Sequence, residues 1–453
     1  MSRVVASVVA SFVASLAVSL VSLLVLGLSP TNAAAQCLEG TAVLGDQRDL
    51  AEVADAIESA CPCASAASRS GHRSCAKGVV EAALAGGDLR SDCKKIATKA
   101  YKDATCGSDL IACGRYKATS AKKPLGCKIT SSAGCRDTAK VESTVCAEET
   151  HCSDVVSATA ATCFDPNEPG PYSYSQRQFV WTKPSQVDPE QDRVLNTWVT
   201  YPAASAPGTP KPVDPAGAPY PVVLFSHGSC GFPNQSTFLT NHLATHGYIV
   251  VAPPHPGNTL SDGAACGSFQ AQVASVQERP RDMIFVLDQI LAENADPESD
   301  FFGMVDPTRI VMSGHSFGGL TTYLTQALEP RIIAAMPFAP AASPTSELTV
   351  PSLTMVGEVD SVVNNAATLD AYERSSAPKT FVEIGSAGHY AWSNNCFAGN
   401  DCNPPVTLTQ AEAHAAVLQW VIPFVERYAR GVEGLEPFFL PVPYPGLVVL
   451  HEE

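Results

Sequence analysis

Three residues in the C-terminal half could together carry out nucleophilic acyl chemistry: Ser316, Asp360 and His389. Ser316 sits in Gly314-His315-Ser316-Phe317-Gly318-Gly319, after the apolar run Ile310-Val311-Met312 and ahead of a helix-forming stretch from Leu320 to Leu328. A serine at a sharp strand-to-helix turn presents its hydroxyl outward, and glycines flank it because side chains there would clash. A serine hydroxyl is a weak nucleophile near neutral pH and needs a base. Asp360 lies just past the strand Ser352–Val356, after Gly357-Glu358-Val359, and His389 closes the loop Gly385-Ser386-Ala387-Gly388-His389 after the strand Thr380–Ile384. The chain order serine, carboxylate, histidine suits His389 as the base and Asp360 as the group that fixes its tautomer. The oxyanion formed in acyl transfer needs donors. The Phe317 N–H is one candidate. The other is the Ser229 N–H, in the loop His227-Gly228-Ser229-Cys230-Gly231-Phe232 after the strand Val222–Ser226; the plain reading of that loop is a glycine-rich turn.

Other residues compete for these roles. Glu358 is the alternative acid, or a solvated carboxylate. His414 falls within the last helix and reads as a packing or surface histidine, with a role as base the lesser alternative. His315 is expected to pack beneath the nucleophile, and His255 reads as a structural loop histidine or a cleft-lining one. Tyr390 and Trp392 directly follow the base, and Phe232 closes the oxyanion loop. These three are the substrate-binding candidates, against simple loop packing.

The elements that must position these groups alternate along the chain. Strands are expected at Arg193–Tyr201, Val222–Ser226, Tyr248–Ala252, Arg309–Met312, Arg331–Pro337, Ser352–Val356 and Thr380–Ile384, with helices near 236–244, 281–295, 366–374 and 410–428. Continuous apolar strands alternating with helices describe an α/β fold: a mostly parallel sheet covered on both faces, with its chemistry at the carboxyl ends of the strands. The short connection Phe338 to Val350 leaves no room for a large lid. An open cleft suits short soluble esters or exposed polymer chains.

At Phe225-Ser226-His227-Gly228, His246-Gly247-Tyr248-Ile249-Val250 and Gly314-His315-Ser316-Phe317-Gly318-Gly319, the chain resembles the platelet-activating-factor acetylhydrolase and dienelactone-hydrolase-like branch of the α/β-hydrolase superfamily. In motif it is also similar to cutinase-like polyester hydrolases. The resemblance spans about residues 190–430. It implies an eight-stranded sheet, a Ser316-Asp360-His389 triad, oxyanion donors at Phe317 and Ser229, and ester hydrolysis with no cofactor and no metal. One departure stands out: dienelactone hydrolases proper use a cysteine nucleophile, and position 316 is serine.

The N-terminal part is different. Residues 1–35 combine a basic Arg3, an apolar stretch to Leu28 and Ala33-Ala34-Ala35, the pattern of a secretory signal peptide; an uncleaved membrane anchor is the competing reading. Twelve of the 16 cysteines lie between Cys37 and Cys163. Their even number fits disulfides in an oxidising compartment, so residues 36–165 are read as a small helical module stapled by disulfides, with zinc binding as the alternative. By proximity, Cys230 would pair with Cys266 and Cys396 with Cys402. Residues 166–453 form the expected catalytic domain, entered through the linker-like Phe164–Tyr172. They carry 12 basic against 28 acidic residues, the whole formal charge of −16, whereas residues 36–165 are near neutral. Phosphate backbones and anionic surfaces would be repelled, so nucleic acid is excluded as a partner and neutral substrates are favoured. The expected protein is a secreted or periplasmic serine carboxylic-ester hydrolase acting on a small-molecule or polymeric ester. The module would bind a surface or substrate, or serve as a spacer. A membrane partner would require the N-terminal segment to stay uncleaved. Lipase or polyester hydrolase is the runner-up. A peptidase or acyltransferase could use the same triad, and a non-catalytic binding protein on a hydrolase scaffold is the reading from another class.

Overall fold

The computed structural model describes residues 37, 43–102, 105–117, 124–136, 138–145, 166–204, 210–396, 406–432 and 447–452. The signal-like segment 1–35, Cys402 and residues 146–165 lie outside the described residues. Residues 43–145 fall in one compact unit and residues 166–431 in another.

The first unit holds three helices, α1 (Val43–Ala60), α2 (Arg69–Gly86) and α3 (Lys94–Lys102). The helical spacing of Leu50, Val53 and Ile57 buries one face of α1 against Ala76 and Val80 of α2 and Ala97 and Tyr101 of α3. Ser68 caps α2 by accepting the Gly71 N–H, and Gly87 ends it with a positive φ of 85°. The unit is not purely helical as the sequence pattern suggests. Three strands, β1 (Ile111–Lys117), β2 (Pro124–Thr130) and β3 (Val141–Val145), form an antiparallel sheet in the order β2-β1-β3. Such short polar strands carry little apolar signal. Cross-links substitute for core: Cys37–Cys93, Cys61–Cys75, Cys63–Cys106 and Cys113–Cys135. Among the described residues no cysteine is free. The cluster with metal-ligand proximity found among the described residues, Cys37, Asp46 and Cys93, has both sulfurs in a disulfide, so the zinc alternative finds no thiolate there. Among the described residues no helix is long and apolar enough to cross a membrane.

The second unit contains β4 (Ser173–Pro184), β5 (Asp192–Ala203), β6 (Tyr220–Ser226), α4 (Thr237–Thr245), β7 (Ile249–Ala252), α5 (Phe269–Ala295), β8 (Val305–His315), α6 (Phe317–Gln326), β9 (Ile332–Phe338), β10 (Ser352–Gly357), α7 (Asn365–Arg374), β11 (Lys379–Ile384) and α8 (Gln410–Tyr428). Its strands run in the order β11-β10-β9-β8-β6-β7-β5-β4. Every pairing from β11 to β7 is parallel; β5 pairs antiparallel with β7 and β4 antiparallel with β5. This is the α/β-hydrolase arrangement. The apolar runs of β6, β7, β10 and β11 are buried throughout, as parallel strands with both faces covered require. Val222, Leu224, Ile249, Val251, Ile310 and Met312 pack against Met283, Val286, Leu287 and Ile290 of α5.

Two elements differ from the sequence reading. β4 carries Ser-Tyr-Ser-Gln-Arg-Gln, too polar to read as a strand, but it pairs along its whole length with β5. α5 begins at Phe269 rather than Arg281, because Ser268 caps it by accepting the Ala271 N–H and Pro280 lies inside the helix instead of ending it.

Because the second unit has its own contiguous core, a chain starting at Asn167 is expected to fold alone and to unfold in one cooperative transition followed by near-ultraviolet dichroism. A truncated chain without a fixed aromatic signal would contradict the independence of that core.

Candidate active site

The carboxyl end of β8 and the loops after β6, β7 and β11 line one cleft of about 200 Å³. Its lining includes Gly228, Ser229, Gln235, Ser316, His389 and Tyr390. Ser316 stands between β8 and α6 with φ 60° and ψ −117°, a conformation that costs an L-residue about 1–3 kcal/mol. The turn is held in place. The Ser316 N–H donates to the Phe338 carbonyl at 2.9 Å, and its carbonyl accepts from Ala341 N–H at 3.1 Å. The flanking glycines are forced by contact: a Cβ on Gly318 would lie 1.9 Å from the Ser226 carbonyl oxygen, and one on Gly314 would lie 2.4 Å from that of Gly318.

His389 shares the cleft with Ser316 and is otherwise buried. Its Nδ1–H donates to Asp360 Oδ2 at 2.8 Å. That bond leaves the Nε2 lone pair as the free acceptor. The Asp360 side chain is wholly buried, and its Oδ1 accepts the N–H groups of Val362 and Val363 at 2.8 and 3.0 Å. Glu358, the competing acid, is exposed and accepts the Ser386 N–H at 2.8 Å instead. His414 lies on α8, stacked on Phe238 at 3.6 Å, with Nε2 on the Ser393 carbonyl.

The substrate-binding candidates divide. Tyr390 lines the cleft, its ring edge-on to His389 at 5.5 Å. Trp392 does not: it is fully buried and stacks between His315 at 6.3 Å and Phe338 at 6.5 Å. The turn His389–Trp392 buries His389, Ala391 and Trp392 and leaves Tyr390 at the cleft, so the large indole fills the core instead of lining the site. Phe232 is half-buried and is not among the cleft-lining residues. Leu260, which no motif marked, lines the rim and is 55% exposed.

A buried polar network surrounds His315 and His255, the two histidines expected to pack near Ser316 or brace a loop, and its other members carry no sequence signal. His315 donates from Nε2 to the His389 carbonyl at 2.8 Å and accepts from Gln235 Nε2 at 3.0 Å. Gln235 Oε1 accepts the Gly228 N–H at 3.1 Å, linking the His389 backbone, through His315, to the Ser229 loop. His255 joins Ser226 Oγ at 2.9 Å to Asp282 Oδ2 at 3.0 Å, and Asp282 pairs with Arg193 at 2.6 Å. The Cys230–Cys266 disulfide ties the Ser229 loop to the turn before α5, the pairing expected from proximity. Cys396 is also disulfide-bonded.

Four comparisons with known proteins bear on this site. Residues 212–402 match the family described as "PETase: PET hydrolase-like". The chain is 26% identical to cutinase est1 of Thermobifida alba over 177 residues, 38% of this chain and 54% of that one, so it spans little more than half of that relative's length. It is 22% identical over 256 residues to a bis(hydroxyethyl) terephthalate hydrolase of Streptomyces coelicolor, covering 55% of this chain and 67% of that one. A ferulic acid esterase from Streptomyces cinnamoneus superposes with a TM-score of 0.51 at 20% identity, over 62% of this chain and 98% of that one, a likeness of fold.

Burial holds His227, His255 and His315 well below the ordinary 6.5, and His246 at about 4. The folded chain therefore binds fewer protons than the unfolded one below about 6.5. The stability these histidines contribute is complete above that pH and is lost as pH falls. The denaturant midpoint should drop progressively from pH 6.5 towards 4.5, each such histidine adding a slope of up to ~1.4 kcal/mol per pH unit. A midpoint that is flat across that window would contradict the neutral assignment.

Proposed function

We propose that this chain, an α/β-hydrolase related to cutinase-like polyester hydrolases, is an exported serine carboxylic-ester hydrolase that works through an acyl-enzyme on Ser316. The observation that carries the proposal is the strained Ser316 facing the same cleft as a histidine whose Nδ1 is held by a buried carboxylate. His389 Nε2 takes the Ser316 proton as Oγ attacks the ester carbonyl. Asp360 stabilises the resulting imidazolium, and the amides of Ser229 and Phe317 receive the oxyanion. The imidazolium then protonates the leaving alcohol. Water, deprotonated by His389, releases the acid and restores Ser316. The disulfides and the signal-like segment 1–35 support export. Residues 36–165 are proposed as a separate disulfide-bonded module, and residues 166–453 as the catalytic domain.

The size of the cleft bears on the substrate. Pockets that enclose a drug-sized ligand measure about 300–1,000 Å³, more than the roughly 200 Å³ here. The ester group and a short acyl or aryl unit fit inside, and the rest of a long substrate must lie along the surface. That geometry supports short soluble esters first and exposed polyester chains second. The second reading is also favoured by the relatives described as PET hydrolase-like and cutinase.

Ser316→Ala should keep the fold and lose several orders of magnitude in hydrolysis of p-nitrophenyl acetate, because the triad acts as a unit. Turnover near that of the wild type in this variant would eliminate the proposed nucleophile. Across p-nitrophenyl esters of increasing length, kcat/KM should peak at short acyl groups; a maximum at long chains would point to a lipase. Asp360→Asn should lower kcat by roughly 10⁴ through loss of the tautomer, whereas Glu358→Gln should have little effect. The reverse order of effects would make Glu358 the acid.

A further inference from the structure

One charged side chain grips the Ser229 loop from the interior. Arg279, on α5, is fully buried. Its Nη1 donates to the His227 carbonyl at 2.7 Å and its Nη2 to the Gly228 carbonyl at 3.0 Å. Nη2 also donates to Asn258 Oδ1 at 2.6 Å, and the guanidinium carbon lies 4.8 Å from the centre of the Phe317 ring. Among the described residues no carboxylate oxygen is within 4.0 Å of it. A cation buried without an ion-pair partner is costly, so carbonyl dipoles must offset its lost hydration. Burial pulls its pKa down to about 9, which leaves it charged at neutral pH.

The carbonyl it holds belongs to a particular peptide. Gly228 C=O and Ser229 N–H share one peptide plane, and in a trans peptide they point in opposite directions. That carbonyl also accepts from the Gly231 N–H at 3.1 Å and from His227 Nδ1 at 2.7 Å. Donors from three residues therefore turn it toward the buried guanidinium, and the Ser229 N–H faces the other way. A cation on the carbonyl also polarises the amide and strengthens its N–H as a donor. Among the described residues neither the Ser229 N–H nor the Phe317 N–H has an acceptor.

We infer that Arg279 is the positioning residue of the oxyanion site. By gripping the Gly228–Ser229 peptide and packing on the Phe317 ring, it sets the direction and strength of both amide donors. This rests on the serine-hydrolase reading above. It concerns only the step in which negative charge builds on the ester oxygen.

The test compares oxoester and thionoester substrates with the same acyl group. Sulfur in place of the carbonyl oxygen fits poorly against two rigid amides placed for oxygen, so the wild type should prefer the oxoester. Arg279→Gln should lower kcat on the oxoester about 10- to 100-fold with KM little changed. The oxoester-to-thionoester rate ratio should shrink by about the same factor. Arg279→Lys, which keeps the charge, should recover part of both. Loss of the same factor on both substrates, or an effect confined to KM, would overturn the inference. If Arg279→Gln does not fold, Arg279→Lys and Asn258→Ala read the same ratio, and an unmoved ratio in those folded variants overturns it equally. Ser316→Ala is assayed alongside. Full activity there removes the serine-hydrolase reading itself, whereas an inactive Ser316→Ala with an unmoved ratio at Arg279 removes only the role of Arg279.

Discussion

The site depends on one backbone constraint, the positive φ of Ser316 between β8 and α6. An L-residue leaves that conformation unless its surroundings hold it there. Here the Phe338 carbonyl and the Ala341 N–H clamp the peptide on both sides, and α6 approaches β6 so closely that only hydrogen fits at Gly318. The contact that forbids a side chain at Gly318 also brings the Ser229 loop beside the serine: a Cβ on Gly228 would sit 3.4 Å from Ser316 Cβ. Ser316 and the Ser229 loop are thus located by the same packing.

A second tier of buried polar groups then fixes the loops. Gln235 and His315 connect the loop after β6 to the His389 backbone, and Arg279 with Asn258 holds the same loop from the α5 side. Both linkages need neutral imidazoles or a satisfied guanidinium, and burial supplies the first condition at His315. Ser316, His389 and Asp360 repeat the residue types of a second set in this unit, and access separates the two. Ser226, His255 and Asp282 are linked at 2.9 and 3.0 Å like a catalytic set, yet each is at most 1% exposed. They brace the carboxyl end of β6. Ser316 and His389 open onto the cleft.

Much of this was legible in the chain. The apolar runs of β6 to β11 alternate with helices strongly enough to mark the fold, and the glycine-flanked serine marks the turn. Asp360 and His389 could be read because each follows a buried strand by a few residues. What escaped notice follows a different rule. Arg279 and Arg281 stand two positions apart on one helix, and only burial, which local sequence does not encode, makes the first a bridge and leaves the second half-exposed. Gln235 lies in an ordinary turn sequence and gains its role from partners 7 and 80 residues away. Trp392 misled because an aromatic next to a base reads as a substrate platform, whereas the turn geometry sends it into the core. The short strands of the first unit were hidden because cysteine cross-links replace the apolar alternation that would have revealed them.

The proposed mechanism turns on Ser316 Oγ as the site of acylation. Incubation of the full-length protein with a fluorophosphonate, followed by tryptic mass mapping, tests it most directly. The predicted result is one adduct per chain, on the peptide spanning residues 310–331 and localised to Ser316 by fragmentation. The same adduct should be absent after denaturation. Complete inhibition of ester hydrolysis with the label on any other residue, or hydrolysis that continues with Ser316 fully labelled, would contradict it.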